Sequence, residues 1–248
     1  MNVFSKDCRH LWRAPSMWLM LGVLSFVLAW MCWQMLDHYL AIQPSLSQLP
    51  YPPSVTDTLW SPLLHMLARV MILVVALSTA TIMTSERSQK TLFYLLLSHR
   101  STGSVVRQKL AASATLLWFV WLQVFLFWAL LETGGTLSGW QVLSGVLGLS
   151  LAVLWMAALG LLIGVYCHAT ATAALLSIVV MAVLWLLGAD GSGQAYGMNW
   201  LKLCSPAHHL DWLFSGELSI SSVVYFAGGV VLFSMLTEQK LKQLRDGS

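Results

Sequence analysis

The sequence predicts an all-α membrane protein with six transmembrane helices, and three observations carry that reading. Hydrophobic residues make up 58% of the 248 positions and charged residues only 9%. A soluble domain typically carries about 25% charged residues, so lipid must be the solvent for most of this surface. Six apolar stretches approach the roughly 20 residues that a helix needs to cross a hydrocarbon core of about 30 Å. Lys and Arg collect in alternate connections between those stretches, the pattern that orients a polytopic chain.

The stretches are Met17–Leu36, Leu59–Met83, Leu110–Leu131, Val142–Val165, Ala171–Gly188 and Ile220–Leu236. Lipid offers no partner for a free backbone N–H or C=O, so helices are the expected form. Continuous apolar runs do not suit the alternating strands of a membrane barrel. The chain reads as one transmembrane domain, 1–248. The basic start, Lys6, Arg9 and Arg13, resembles that of a signal peptide. The run behind it is too long for such a segment and ends in no A-x-A site, so a retained span is expected.

Charge sets the expected orientation. Lys6, Arg9, Arg13, Arg87, Lys90, Arg100, Arg107, Lys109, Lys240, Lys242 and Arg245 fall on one side, and Lys202 on the other. Both termini are therefore expected to be cytoplasmic. The opposite side is acidic, with Asp37, Asp57, Glu132, Asp190, Asp211 and Glu217. Of the 13 Trp, many fall near expected span ends, as Trp12, Trp18, Trp60, Trp140 and Trp200 do, which suits an aromatic belt. Trp30 and Trp155 do not.

Three regions outside the spans are informative. Residues 1–16 mix apolar and basic side chains and suit an interfacial amphipathic helix, ended by Pro15. The alternative is a merely basic flank. The inner loop 84–109 holds the apolar run Thr91–Leu97 between charged flanks. Seven residues cannot span, so the run is either an interfacial helix or a docking helix for a cytoplasmic partner. The outer segment 189–219 starts with Gly191, Gly193 and Gly197. It continues into a short amphipathic helix with Ser205 as cap and Pro206 at its first position. Its apolar residues are expected to dip into the outer interface.

Catalytic signatures are lacking. The sequence has no G-x-x-x-x-G-K-[ST], no H-E-x-x-H and no G-x-S-x-G, so no enzyme activity is expected and the chain is not expected to hydrolyse nucleotide itself. The four cysteines, Cys8, Cys32, Cys167 and Cys204, show neither zinc spacing nor a disulfide framework, although a Cys32–Cys204 bridge stays open. No metal site is assigned. Met31, Met35 and His38 share a face of the first span, and with His208 and His209 they form a soft ligand set of the kind that suits Cu(I). The alternative is ordinary lipid-facing methionine with interfacial histidine. His65 and Arg69 lie deep in the second span, four residues apart. Together they make either a polar lining or a structural pair, because a charge within a span is costly and is often functional. Gly160 and Gly164 form a GxxxG pair that lets helices approach closely.

Two stretches carry a family resemblance. One runs from Glu86 through the T-L-x-x-L-L-L core at Thr91–Leu97 to Lys109 and Leu110. The other runs Ser205-Pro206-Ala207-His208-His209-Leu210, then Phe214-Ser215-Gly216-Glu217-Leu218 and Val223–Phe226. On these the chain resembles the permease subunits of type-2 ABC transporters, and is most similar to the branch with gliding-motility-type and nitrous-oxide-reductase-maturation permeases. It departs from the family pattern at Lys90, where Gly is frequent, and at Ser98-His99-Arg100, where Pro often follows the leucine run.

The resemblance implies a transmembrane permease domain in the inner membrane of a bacterium, driven by a separate dimeric P-loop ATPase that binds ATP and magnesium. It implies a cytoplasmic coupling helix over Glu86–Ser98. Leu92, Phe93, Leu95 and Leu96 would be buried anchors in the ATPase groove, and Glu86, Arg87 and Lys90 would set register. A second permease copy or paralogue would complete the unit, with membrane lipid around it and no nucleic acid. The substrate is unspecified and export is the expected direction. The alternative is a non-transporting module that relays ATPase motion to an envelope partner or to an assembly factor, for example in metal-site maturation.

Overall fold

The computed structural model describes residues 3–46, 56–88, 101–132, 138–188 and 202–246, and every regular element among them is helical. The helices are α1 (Val3–Arg13), α2 (Pro15–Leu46), α3 (Ser61–Ser88, preceded by a π turn at Thr56–Trp60), α4 (Thr102–Ala114), α5 (Leu117–Glu132), α6 (Gly139–Tyr166), α7 (Thr170–Leu186), α8 (Pro206–Phe214) and α9 (Ile220–Asp246). Five segments are long and apolar enough to cross a bilayer: Pro15–Gln43, Thr58–Glu86, Thr102–Glu132, Gly139–Tyr166 and Ile220–Asp246. The chain is therefore of the multi-pass, all-α membrane type. The expected fifth span, α7, is shorter at 17 residues, about 26 Å of helix.

α1 ends where the sequence breaks it. Arg13 is its last residue, and Pro15 opens α2 at a first-turn position that needs no N–H partner. Val3, Asp7 and Leu11, spaced by four, form its buried face. α4 and α5 form one apolar column interrupted at Thr115-Leu116, where the Thr115 hydroxyl accepts the Trp12 indole N–H at 3.0 Å. On the other side of α5, the Gln123 amide donates to the Ser25 hydroxyl of α2 at 2.8 Å.

The bundle is built around α3 and α6. Val74, Val75, Ala76, Ala80, Ala157 and Ala158 are at most 1% exposed, and small residues let the two backbones come close. A Cβ on Gly160 would collide with the Thr79 side chain, and one on Gly164 would meet the Met83 Cβ at 2.8 Å. The GxxxG pair is therefore the seam along which α6 lies on α3. α7 adds Ala173 and Ala174 against Ala80. α9 packs on Trp155 of α6, whose ring lies 5.8 Å from Tyr225 and 5.5 Å from Phe233.

Contacts sort the helices into two ends. At the charged end, Leu11, Ile82, Met83, Val106, Val165 and Leu241 form one cluster. The N-terminal helix and the last turns of α9 thus meet the same ends of α3, α4 and α6. At the far end, α8 lies across the starts of α3, α6 and α9. Ser205 caps it, accepting the Ala207 N–H at 3.2 Å, and Pro206 takes the first helical position. The apolar face of α8, expected to dip into the outer interface, is turned largely to the helical core, with Trp212 left exposed. Leu210 and Leu213 are 0% exposed and Phe214 1%, because Gly148 of α6 leaves a hollow that Leu213 fills. α8 is a plug on the helical core.

The four cysteines are free, Cys32 buried in α2 and Cys204 exposed, so the open Cys32–Cys204 bridge is not formed.

The seam gives a direct test. Gly160→Val and Gly164→Val should each lower thermal stability in detergent by about 1–3 kcal/mol, the usual cost of overpacking. Gly22→Ala, where an added Cβ meets nothing within 4 Å, should be neutral or stabilising by up to about 1 kcal/mol. Equal tolerance at all three positions would remove the seam from the account.

Candidate functional site

The loop expected to contact a partner leaves the bundle at α3 and returns at α4, and both roots are tied by buried charge. Lys109, on the second turn of α4, is 1% exposed. Its ammonium lies 2.8 Å from Glu86 Oε2 and 3.2 Å from Asp7 Oδ2, and it donates to the Ile82 carbonyl at 3.2 Å. Glu86, on the last turn of α3, is likewise 1% exposed, and its other oxygen, Oε1, accepts from Lys6 Nζ at 2.7 Å. Lys6 stands at the rim, about a third exposed. Two carboxylates and two ammonium groups thus form one chain, Asp7–Lys109–Glu86–Lys6, across α1, α3 and α4.

Burying a charge is tolerable only when it is paired and hydrogen-bonded. That requirement explains why α1 folds back onto the bundle. Without Asp7 and Lys6, Lys109 and Glu86 would face each other with half their hydrogen-bonding capacity unmet. Burial pushes the Asp7 carboxyl above the ordinary aspartate range; the neighbouring Glu86 charge adds to that push and the Lys109 ammonium opposes it. The cluster therefore concentrates strain on Asp7.

The Glu86 carboxylate, expected to set register at a partner surface, faces inward here and is bonded by Lys6 and Lys109. Arg87 lies on the same last turn of α3. Lys90, Leu92, Phe93, Leu95 and Leu96 lie outside the described residues. Lys109 was read only as the basic residue entering the third span, and Asp7 was not singled out. The available signal was that Asp7 is the one acid in an otherwise basic N-terminal stretch.

A second polar constellation sits at the far end. His65 Nε2 lies 2.9 Å from Asp211 Oδ1 of α8, and the imidazole meets Phe214 edge-on at 4.7 Å. Arg69, one turn further into α3, opens with them onto a cavity of about 670 Å³. The two deep polar residues are thus brought together on one wall, and Asp211 is the partner the sequence did not name.

The candidate copper ligands lie on α2 and α8. His209 is buried, pairs Nε2 with the Leu203 carbonyl at 3.0 Å and Nδ1 with the Ser222 hydroxyl at 3.2 Å, and stacks on Tyr225 at 4.2 Å. Burial lowers its pKa from the ordinary histidine value, which favours the neutral ring that this packing holds. Met35 packs against the core, whereas His38 is exposed on α2. Among the described residues no three His, Cys, Asp or Glu side chains converge on a common point.

Compared with known proteins, the chain matches no family model, and no curated protein matches it significantly.

Lys109→Met should destabilise the protein by about 3–5 kcal/mol, because it strands two buried carboxylates. Adding Glu86→Gln should recover part of that loss. Asp7→Asn should cost less. Asp7 holds its proton more readily folded than unfolded, so its carboxyl disfavours folding increasingly as pH rises from the unfolded value through the higher folded one. The stability of Asp7→Asn relative to wild type should therefore improve as pH rises across that window. Thermal melts of detergent-solubilised protein across the acid range would show it, and a Lys109→Met melt equal to wild type would refute the cluster's role.

Proposed function

We propose that the chain is the membrane permease subunit of a type-2 ABC transporter, with six spans, cytoplasmic termini and the inner membrane as its location. It works with a P-loop ATPase dimer and a second permease copy or paralogue, and moves its substrate outward. The observation that carries this reading is the buried Asp7–Lys109–Glu86–Lys6 chain at the root of the 84–109 loop. A subunit driven by an external motor needs a docking element whose displacement reaches the spans without being absorbed at the joint. Here both stems of the loop, α3 and α4, are clamped to each other and to α1 by charges that cannot separate cheaply in a dry interior.

From that clamp a push on the loop is delivered to two different columns. Through α3 it reaches the α3–α6 seam, and through α4 it reaches α5 and the Ser25 contact of α2. The absence of any nucleotide-binding signature agrees with a motor in another subunit. α7, at 17 residues, is still within the length that a thin or locally adapted bilayer accepts. In this reading Leu92, Phe93, Leu95 and Leu96 enter the ATPase groove, Arg87 and Lys90 meet its rim, and Glu86 serves as the internal anchor of the lever.

Tagged protein purified from membranes in mild detergent should retain a P-loop ATPase. Leu96→Asp should weaken that association roughly thirtyfold, the effect of losing a 2 kcal/mol interface anchor, while leaving membrane insertion intact. Failure to recover any ATPase under conditions that preserve other membrane complexes would overturn the assignment. An ATPase that binds and cycles without translocation in reconstituted vesicles would move the conclusion to a subunit that relays motion.

A further inference from the structure

Arg69 poses a problem that nothing in the fold solves. It follows Thr58 by eleven residues in the Thr58–Glu86 span, about 16 Å of helix, which puts it far from either end. A guanidinium at such depth is costly in lipid and normally pairs or faces water. Among the described residues no carboxylate lies within ion-pair distance of it. The nearest acid along its wall, Asp211, is engaged by His65. Arg69 is exposed, and what it faces is the cavity of about 670 Å³.

The walls of that cavity are of two kinds. Arg69, His65 and Asp211 supply charge and hydrogen bonding; Met66, beside them on α3, and Trp185 and Leu186 of α7 supply apolar surface. His65 is locked by Asp211 and by its edge contacts with Phe214 and Trp185, so the polar wall is pre-formed. A small hydrated ion would leave the apolar wall unused, and a neutral lipid would leave Arg69 uncompensated. An oxyanion joined to an apolar tail satisfies both.

We infer that the far-end cleft between α3, α7 and α8 binds an anionic amphiphile, with its phosphate or carboxylate head on Arg69 and its tail along Met66, Trp185 and Leu186. The head meets Arg69 as a bidentate, charge-assisted pair. The His65–Asp211 pair closes the head's side of the cleft and keeps Asp211 from competing for Arg69. The inference uses no motor partner and is tested without one, so its failure would leave the permease reading standing.

The test is phosphatidylglycerol retention by the purified full chain, read by native mass spectrometry and by exchange in nanodiscs against phosphatidylcholine. Wild type should keep phosphatidylglycerol selectively. Arg69→Gln should weaken it on the order of ten- to a hundredfold, the effect of removing one charge-assisted pair. Arg69→Lys should keep part of the selectivity, and Lys202→Gln, a cation outside the cavity, all of it. Arg69→Gln should melt no lower than wild type, since it removes a deep unpaired charge. A large loss of stability in Arg69→Gln would make Arg69 structural and overturn the inference. So would equal phosphatidylglycerol binding by wild type and Arg69→Gln. Arg69-dependent binding of inorganic phosphate without lipid selectivity would assign the cleft to a free anion instead.

Discussion

Lys109 buries its ammonium almost completely, at 1% exposure. That fact constrains more of this molecule than any apolar contact does, because apolar packing is forgiving of small displacements and a buried ammonium is not. Its ion partners come from α1 and α3, 102 and 23 positions away, and both must arrive before the charge is tolerable. The folding of α1 onto the bundle, the depth at which α4 enters it and the direction in which α3 ends are therefore parts of one electrostatic condition. Lys6 at the rim completes the balance by taking the second Glu86 oxygen, so the cluster is neutral as a unit although each member alone would be expensive.

Above this clamp the structure runs on a different principle. Between α3 and α6 the closest approaches are made at Gly145, Gly160 and Gly164, and attraction comes from close approach of backbones rather than from escape from water, which lipid does not reward. Such a seam is stiff along its normal and permits sliding along its length. The charge cluster fixes α3 and α4 at one end, and α8 fixes α3, α6 and α9 at the other by seating Leu213 in the hollow over Gly148. In the proposed reading, a small-residue seam with both ends tied would transmit a displacement as a whole and link the loop to the interior.

The elements were largely legible because each rests on local chemistry. Pro15 had to separate α1 from α2, Ser205 and Pro206 had to start α8, and the apolar runs had to be helices in lipid. What escaped depended on pairs remote in sequence. Glu86 reads as a surface charge at the start of a polar loop, and its inward turn follows only once Asp7 and Lys6 are known to reach it. Leu210, Leu213 and Phe214 read as interfacial because an amphipathic stripe does not reveal whether lipid or protein will cover it. α7 reads as a span over Ala171–Gly188, and the helix found there, Thr170–Leu186, holds 17 residues. At the cleft, His65 and Arg69 were visible as deep polar residues, but Asp211, 146 positions from His65, was not assignable to them.

The two ends also differ in how their charge is settled, and the difference bears on what each can do. At the charged end every buried ion has its partner within the chain, so nothing remains for a ligand and the site resists motion. At the far end His65 and Asp211 satisfy each other, while Arg69 is exposed to the cleft with no ion partner among the described residues, which is where the inferred anion would sit. A membrane protein cannot leave a deep cation to lipid without cost, and among the described residues the acid nearest to it along the cleft, Asp211, is paired with His65. In the proposed reading, the end where charge is closed would transmit motion and the end where it is open would recognise a ligand.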